Sequence, residues 1–108
     1  MKNAANSQIF DEIIAKLQKG AEPTELIPQL SQLREQAKAK EDALLVKVLR
    51  LAMEHIENNG SFEVGDRFEE GLPDDISNLQ YFIELVADAD NKYNREEIQE
   101  FKQVLMNG

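Results

Sequence analysis

Apolar residues recur along most of the chain at the three- and four-residue spacing of an α-helix, which predicts five helical segments. In the first segment, Asn6 or Ser7 can cap the helix and Gly20 can end it in a left-handed conformation. The positions that share its apolar face are Ile9, Phe10, Ile13, Ile14 and Leu17. We therefore predict a first helix between these two signals.

The second segment has two alternative beginnings. Thr24 can cap a helix that carries Pro28 in its opening turn, where a missing N–H costs least. Alternatively, the helix starts at Pro28 and residues 23–27 form a separate turn. In both cases the apolar face consists of Leu26, Ile27, Leu30, Leu33 and Ala37.

The connection between the second and third segments is ambiguous. Residues 35–42 contain only good helix formers, so the two segments could form one long rod. We favour a turn near Lys38–Asp42, with Asp42 capping the next helix. The reason is that nothing larger than Ala is available for burial between Arg34 and Ala43, and a compact domain gains little from such a rod.

The third segment, from Asp42 to Asn58, is the most apolar and is predicted to be central. Its polar side chains form one narrow stripe and almost everything else is apolar, which is typical of a helix surrounded by other helices or pressed into a partner. The stripe could be a recognition edge, although its first three members are also spaced for intrahelical pairing. It consists of Lys47, Arg50, Glu54 and Glu57.

The helical period disappears between Ser61 and Leu72, which predicts an irregular loop anchored by Phe62, Val64, Phe68 and Leu72. Pro73 can open a fourth helix, and Asn94 has capping-box spacing to Glu97 at the start of a fifth. Their apolar faces are Ile76, Leu79, Phe82, Ile83 and Val86, then Ile98, Phe101, Val104 and Leu105.

The predicted fold is all-α: a single domain, residues 1–108, built as a compact bundle of about five helices. Its buried central helix spans 42–58 and its irregular acidic loop spans 61–72.

Composition narrows the classes of function. A chain of 108 residues can bury a core without disulfides or a structural metal. Cysteine is absent, which excludes thiolate zinc sites, iron–sulfur clusters and a cysteine nucleophile. The N-terminus does not resemble a signal peptide, and no apolar run is long enough to span a bilayer. We expect a soluble cytoplasmic protein.

The charge is unevenly distributed. The formal net charge is −9, and residues 60–108 carry 4 Lys/Arg against 12 Asp/Glu, which is −8 of that total. Such a surface repels nucleic-acid phosphates and anionic membranes, so we expect no direct contact with either. The densest acidic stretch is the candidate site for a basic protein partner. It comprises Glu63, Asp66, Glu69, Glu70, Asp74 and Asp75.

Three groups of residues could carry chemistry. The stretch 88–97 has acids that alternate after an apolar helix, similar in outline to an EF-hand, but Lys92, Tyr93 and Gln99 occupy positions where that loop needs an oxygen ligand, Gly and Glu. A capped turn explains Asn91, Asn94 and Glu97 without an ion. A cation site in this stretch would rest on Asp88 and Asp90.

Neither the lone histidine nor the paired acids indicate an enzyme. His55 has no second ligand at metal-binding spacing, so a histidine at the rim of the core is the simpler interpretation. The neighbouring acids Glu69/Glu70 and Asp74/Asp75 lack a feature that would raise a carboxyl pKa beyond mutual repulsion. We predict no catalytic residues, no metal and no cofactor.

The sequence favours a non-enzymatic module for protein–protein interaction, with a homodimer as one form of it. Two alternatives belong to other classes. One is an acidic mimic of nucleic acid that inhibits a basic protein, and the other is a cation-binding regulator that uses the degenerate EF-hand-like loop at 88–97.

Overall fold

A computed structural model of the chain describes residues 6–62 and 78–107. These residues form five α-helices, numbered here in chain order, and one short 3-10 turn at Pro23–Leu26. The helices are α1 (Ser7–Gln18), α2 (Ile27–Ala39), α3 (Ala43–Asn59), α4 (Asn78–Ala87) and α5 (Lys92–Asn107). The all-α bundle predicted from the apolar spacing is confirmed. The described part has no β-strand, and none of its helices is long and apolar enough to cross a membrane.

The start of α2 follows the second of the two alternatives. Pro23–Leu26 is a separate 3-10 turn, and Pro28 lies in the first turn of α2, where it has no hydrogen bond to lose. Thr24 is therefore not the cap. The turn is instead closed by Glu22 and Glu25, since the Glu22 N–H donates to a Glu25 carboxylate oxygen at 2.7 Å.

A tight turn separates α2 from α3, as the sequence favoured. Glu41 adopts a left-handed conformation with φ of 57°. The Asp42 N–H then donates to the Ala37 carbonyl and the Glu41 N–H to the Lys38 carbonyl, both at 3.0 Å, which is the Schellman pattern that ends a helix. Asp42 begins α3 as predicted, because its Oδ1 accepts from the Leu45 N–H at 3.3 Å.

Helix α3 is central to the bundle. It packs against α2 on one flank and α5 on the other, and it also contacts the 3-10 turn. Its fully buried residues are Leu45, Val48, Leu49, Ala52 and Ile56. The predicted polar stripe is its outer edge, with Arg50, Glu54 and Glu57 exposed and Lys47 half-buried. The high share of apolar residues in this segment is thus explained largely by burial within the chain.

Beyond α3, Phe62 returns the chain to the core. It is 5% exposed, and its ring lies 5.4 Å from Phe82 of α4 and 6.2 Å from Phe101 of α5, measured between centroids. The predicted anchoring role of Phe62 is therefore confirmed. Val64, Phe68 and Leu72, the Pro73 helix start and the rest of the predicted acidic loop lie outside the described residues.

Two predicted caps are wrong in detail. Asn6 precedes α1 and its carbonyl oxygen accepts from the Ile9 N–H at 3.0 Å, but its side chain forms no capping hydrogen bond. Helix α5 begins at Lys92 instead of after Asn94. Asn91 caps it, since its Oδ1 accepts from the N–H groups of the residues two and three positions later, at 2.9 and 3.3 Å.

Candidate functional site

The acidic stretch that the sequence predicts as a partner site lies outside the described ranges. Its six residues are Glu63, Asp66, Glu69, Glu70, Asp74 and Asp75. The described surface instead presents a feature of opposite charge.

An open groove of about 460 Å³ runs between α2 and α3 beside the turn that joins them. Its rim is basic, and we call it the α2–α3 groove. One side is formed by α2 with Arg34 and Lys38, and the other by α3 with Lys47 and Arg50. Glu41 is the one acidic residue among the groups that line it.

The short turn explains why four cations meet here. Two helices joined by a tight connection run antiparallel, so residues equally far from the turn lie at the same level. Arg34 precedes Asp42 by eight positions and Arg50 follows it by eight, while Lys38 and Lys47 are removed from it by four and five. At about 1.5 Å per residue, the four cations occupy two levels, about 6 Å apart on α2 and about 4.5 Å apart on α3.

Neighbouring acids compensate part of this charge. Lys38 forms an ion pair with Glu35 at 3.3 Å, and the Nε of Arg50 lies 4.0 Å from Glu54. Both pairs are exposed, and exposed pairs contribute little. Among the described residues, none forms an ion pair with Arg34 or Lys47. The groove is therefore a local positive surface on a chain of net charge −9.

The groove also has an apolar and a buried polar component. Val46, which is half-buried, and Ala43 lie between the two rows of cations. The Nε of Arg34 is buried, and no described atom accepts a hydrogen bond from it. A buried donor without a partner is uncommon in proteins and costly to fold stability.

Sequence analysis found half of this site. Lys47 and Arg50 were identified in the polar stripe as a candidate recognition edge, whereas Arg34 and Lys38 were not. Their four-residue spacing on α2 was the missed signal, because it places both on one face. With the predicted turn between α2 and α3, the pair Arg34 and Lys38 would then have been placed beside the pair Lys47 and Arg50.

The EF-hand-like stretch forms a turn whose oxygens bond to the chain itself. Asn94 donates through its side chain to the Asp88 carbonyl at 3.2 Å and to the Asp88 carboxylate at 3.4 Å. Asn91 caps α5 as described above. Among the residues that the structure describes, no three His, Cys, Asp or Glu side chains converge on a potential metal position.

Glu97 has a different role from the capping one predicted for it. Its carboxylate accepts a hydrogen bond from the Tyr81 hydroxyl and so joins α5 to α4. Burial raises the pKa of Tyr81 to about 12, helped by this hydrogen bond and by the charges of Glu97 and Glu100. A tyrosine with a raised pKa stays protonated, so the contact is a structural hydrogen bond at neutral pH.

His55 is half-buried at the rim of the core, where the sequence predicted it. Its ring meets the edge of Phe62 with centroids 5.8 Å apart and planes at 77°. This geometry describes a packed aromatic side chain.

Comparisons of the chain with family models, with curated proteins and with solved structures found no match.

Proposed function

We propose that the chain is a non-enzymatic module that binds another protein through charged surfaces. The observation that carries this proposal is the separation of charge. Four cations line the α2–α3 groove, whereas residues 60–108 hold 12 acids against 4 bases. Charged surfaces of this kind guide association and select partners by complementarity.

Few large apolar side chains are exposed among the described residues, which supports a binding surface of charged groups over one formed by an apolar patch. Within residues 6–62 and 78–107, twenty apolar side chains are buried in one continuous cluster. Among the described residues, the large apolar side chains that are exposed are Tyr93 and Met106, on different parts of α5. The lack of cysteine suits a reducing compartment, and we propose that the module acts in the cytoplasm.

The acidic stretch is the proposed surface for a basic partner. Neutralising Glu69, Glu70, Asp74 and Asp75 to their amides should weaken capture of such a partner several-fold at low salt, because rim charges act mainly through long-range attraction. The measurement is an affinity pull-down from lysate of the source cells with quantitative mass spectrometry. Helical circular dichroism should stay unchanged.

The matched control moves the same charge change to described, exposed helical positions: Glu12, Glu57, Glu84 and Glu96 to Gln. This variant should capture the partner as the wild type does. Equal capture by all three proteins would contradict the acidic stretch as the site, and no specific capture by any would contradict the proposed function. Light scattering on the same preparation shows whether the partner is a second copy of the 12.3 kDa chain.

A further inference from the structure

We infer that the α2–α3 groove binds an acidic helical segment of a protein partner. This inference rests on the proposed function and assigns it a second surface, distinct from the acidic stretch. The groove offers Arg34 and Lys38 on one wall and Lys47 and Arg50 on the other, with Val46 between them.

The spacing of the cations matches the repeat of carboxylates along one face of a helix. Arg34 and Lys38 are one helical turn apart, so their charges repeat about every 6 Å. Carboxylates at positions i and i+4 of a bound helix repeat at the same interval, and both can pair at once. The groove is about two helical turns long, which matches a short amphipathic segment that lies between two helices.

The apolar floor and the guanidinium of Arg34 add to this match. Val46 and Ala43 provide a surface for a small aliphatic side chain on the same face of the ligand helix. Arg34 lines the groove, and a carboxylate can accept two parallel hydrogen bonds from one guanidinium. A ligand with both carboxylates and small apolar residues satisfies all of these groups.

The surrounding acids argue against nucleic acid as the occupant. Glu35, Glu41 and Glu54 border the cations, and the chain as a whole has a net charge of −9. The Debye length is about 8 Å at physiological ionic strength, so a short ligand within the groove experiences mainly the charges that line it, which are four cations and Glu41. A continuous phosphate backbone would extend past the four cations into acidic surface, and its phosphates make no apolar contact with Val46.

The test measures binding of a defined peptide by fluorescence anisotropy at low salt. The probe is a labelled peptide of about 14 residues made of Glu, Ala and Leu, with glutamates at i and i+4 and a hydrocarbon staple on the opposite face that holds so short a chain helical. Its counterparts are the same peptide with Gln for Glu and an oligothymidylate of similar length. We expect the wild-type chain to bind the Glu peptide at least about tenfold more tightly than either counterpart.

The variant R34Q/K38Q/K47Q/R50Q should lose at least about tenfold in affinity for the Glu peptide, because four rim ion pairs are removed. The control K16Q/K19Q/K92Q/K102Q has the same change in net charge at distant sites and should lose less than about threefold. If the first variant unfolds by circular dichroism, K38Q/K47Q keeps Arg34 in place and should lose about threefold.

Three results would overturn the inference. They are undiminished peptide binding by the folded groove variant, tighter binding of the oligothymidylate, and no peptide binding at about 1 mM, the weakest affinity that such a contact would have. None of these tests the acidic stretch. The variant with amides at Glu69, Glu70, Asp74 and Asp75 should bind the Glu peptide at least as well as the wild type, so the two proposals fail separately.

Discussion

At the scale of single residues, Tyr81 shows how a contact in the fold changes the chemistry of a side chain. Its hydroxyl donates to Glu97, sixteen positions later in the chain, and burial together with nearby carboxylates disfavours the tyrosinate. The sequence placed Glu97 at a helix cap because local spacing is all that a sequence pattern reports. The partner on α4 becomes apparent only when the two helices pack together.

Replacing the second tyrosine makes this effect measurable. In Tyr93→Phe, Tyr81 is the only remaining tyrosine, and the chain has no Trp to interfere. A spectrophotometric titration of tyrosinate should then give a midpoint near 12. A midpoint near 10 would show that the hydroxyl is not held by Glu97.

The same shift has a consequence for stability. Because the folded-state pKa of Tyr81 is raised above the ordinary value of 10.0, unfolding between pH 10 and pH 12 releases a proton. The free energy of unfolding should therefore fall as pH rises through this window, and the contribution of Tyr81 to it should not depend on pH below the window. The control Tyr81→Phe should lack this part of the fall in denaturant titrations at high pH.

At the scale of elements, the turn between α2 and α3 decides the architecture. Residues 35–42 favour helix by intrinsic propensity, yet the chain turns there because the Schellman bonds and the Asp42 cap satisfy both helix ends. The turn carries Glu41 at a φ of 57°, a conformation that glycine adopts without cost. Burial of Leu33 and Leu45 on facing helices outweighs that local strain.

Glu41→Gly should therefore stabilise the protein. Relief of the left-handed conformation should raise the free energy of unfolding by about 1–2 kcal/mol. The greater conformational freedom of glycine in the unfolded chain should lower it by about 0.5–1 kcal/mol. We expect a net gain of about 0.5–1 kcal/mol in the free energy of unfolding, measured by urea denaturation. The control Glu41→Ala removes the carboxylate but keeps the strain. If it gained as much as glycine, the charge and not the backbone would be the cause.

At the scale of the whole molecule, a side-chain bridge ties the middle of the chain to its last helix. The Arg95 guanidinium donates to the Oδ2 of Asp42 at 2.6 and 3.3 Å, across 53 positions of sequence. Asp42 Oδ1 caps α3 at the same time. One carboxylate thus fixes both the start of α3 and the position of α5 beside it. The cap was predicted from the sequence and the bridge was not.

A double-mutant cycle separates these two roles. Asp42→Ala should cost about 1–2 kcal/mol, because it removes the cap and the ion pair together. Asp42→Ser keeps a capping oxygen, and we expect it, like Arg95→Gln, to cost about 0.5–1 kcal/mol. The coupling between Asp42→Ser and Arg95→Gln should be about 0.5 kcal/mol in chemical denaturation. Additive effects would show that the bridge does not contribute to stability.

The sequence by itself determined the helical class, the central segment and most of the buried positions. The physical reason is that apolar periodicity, Gly20, Gly60 and the Asp42 cap act within a few residues of chain. Phe10, Ile13 and Phe101 were correctly assigned to the core on this basis. The start of α5 was missed because Asn91 and Asn94 are both competent caps, and local pattern does not choose between them.

Only the tertiary structure decided which distant side chains meet. Arg34 and Lys38 join Lys47 and Arg50 because a hairpin folds one helix face against another, and Tyr81 reaches Glu97 because α4 packs on α5. Spacing along one helix specifies a face, but the partner of that face depends on the turn and on the packing of the whole core. That dependence explains why an acidic sequence contains a basic groove.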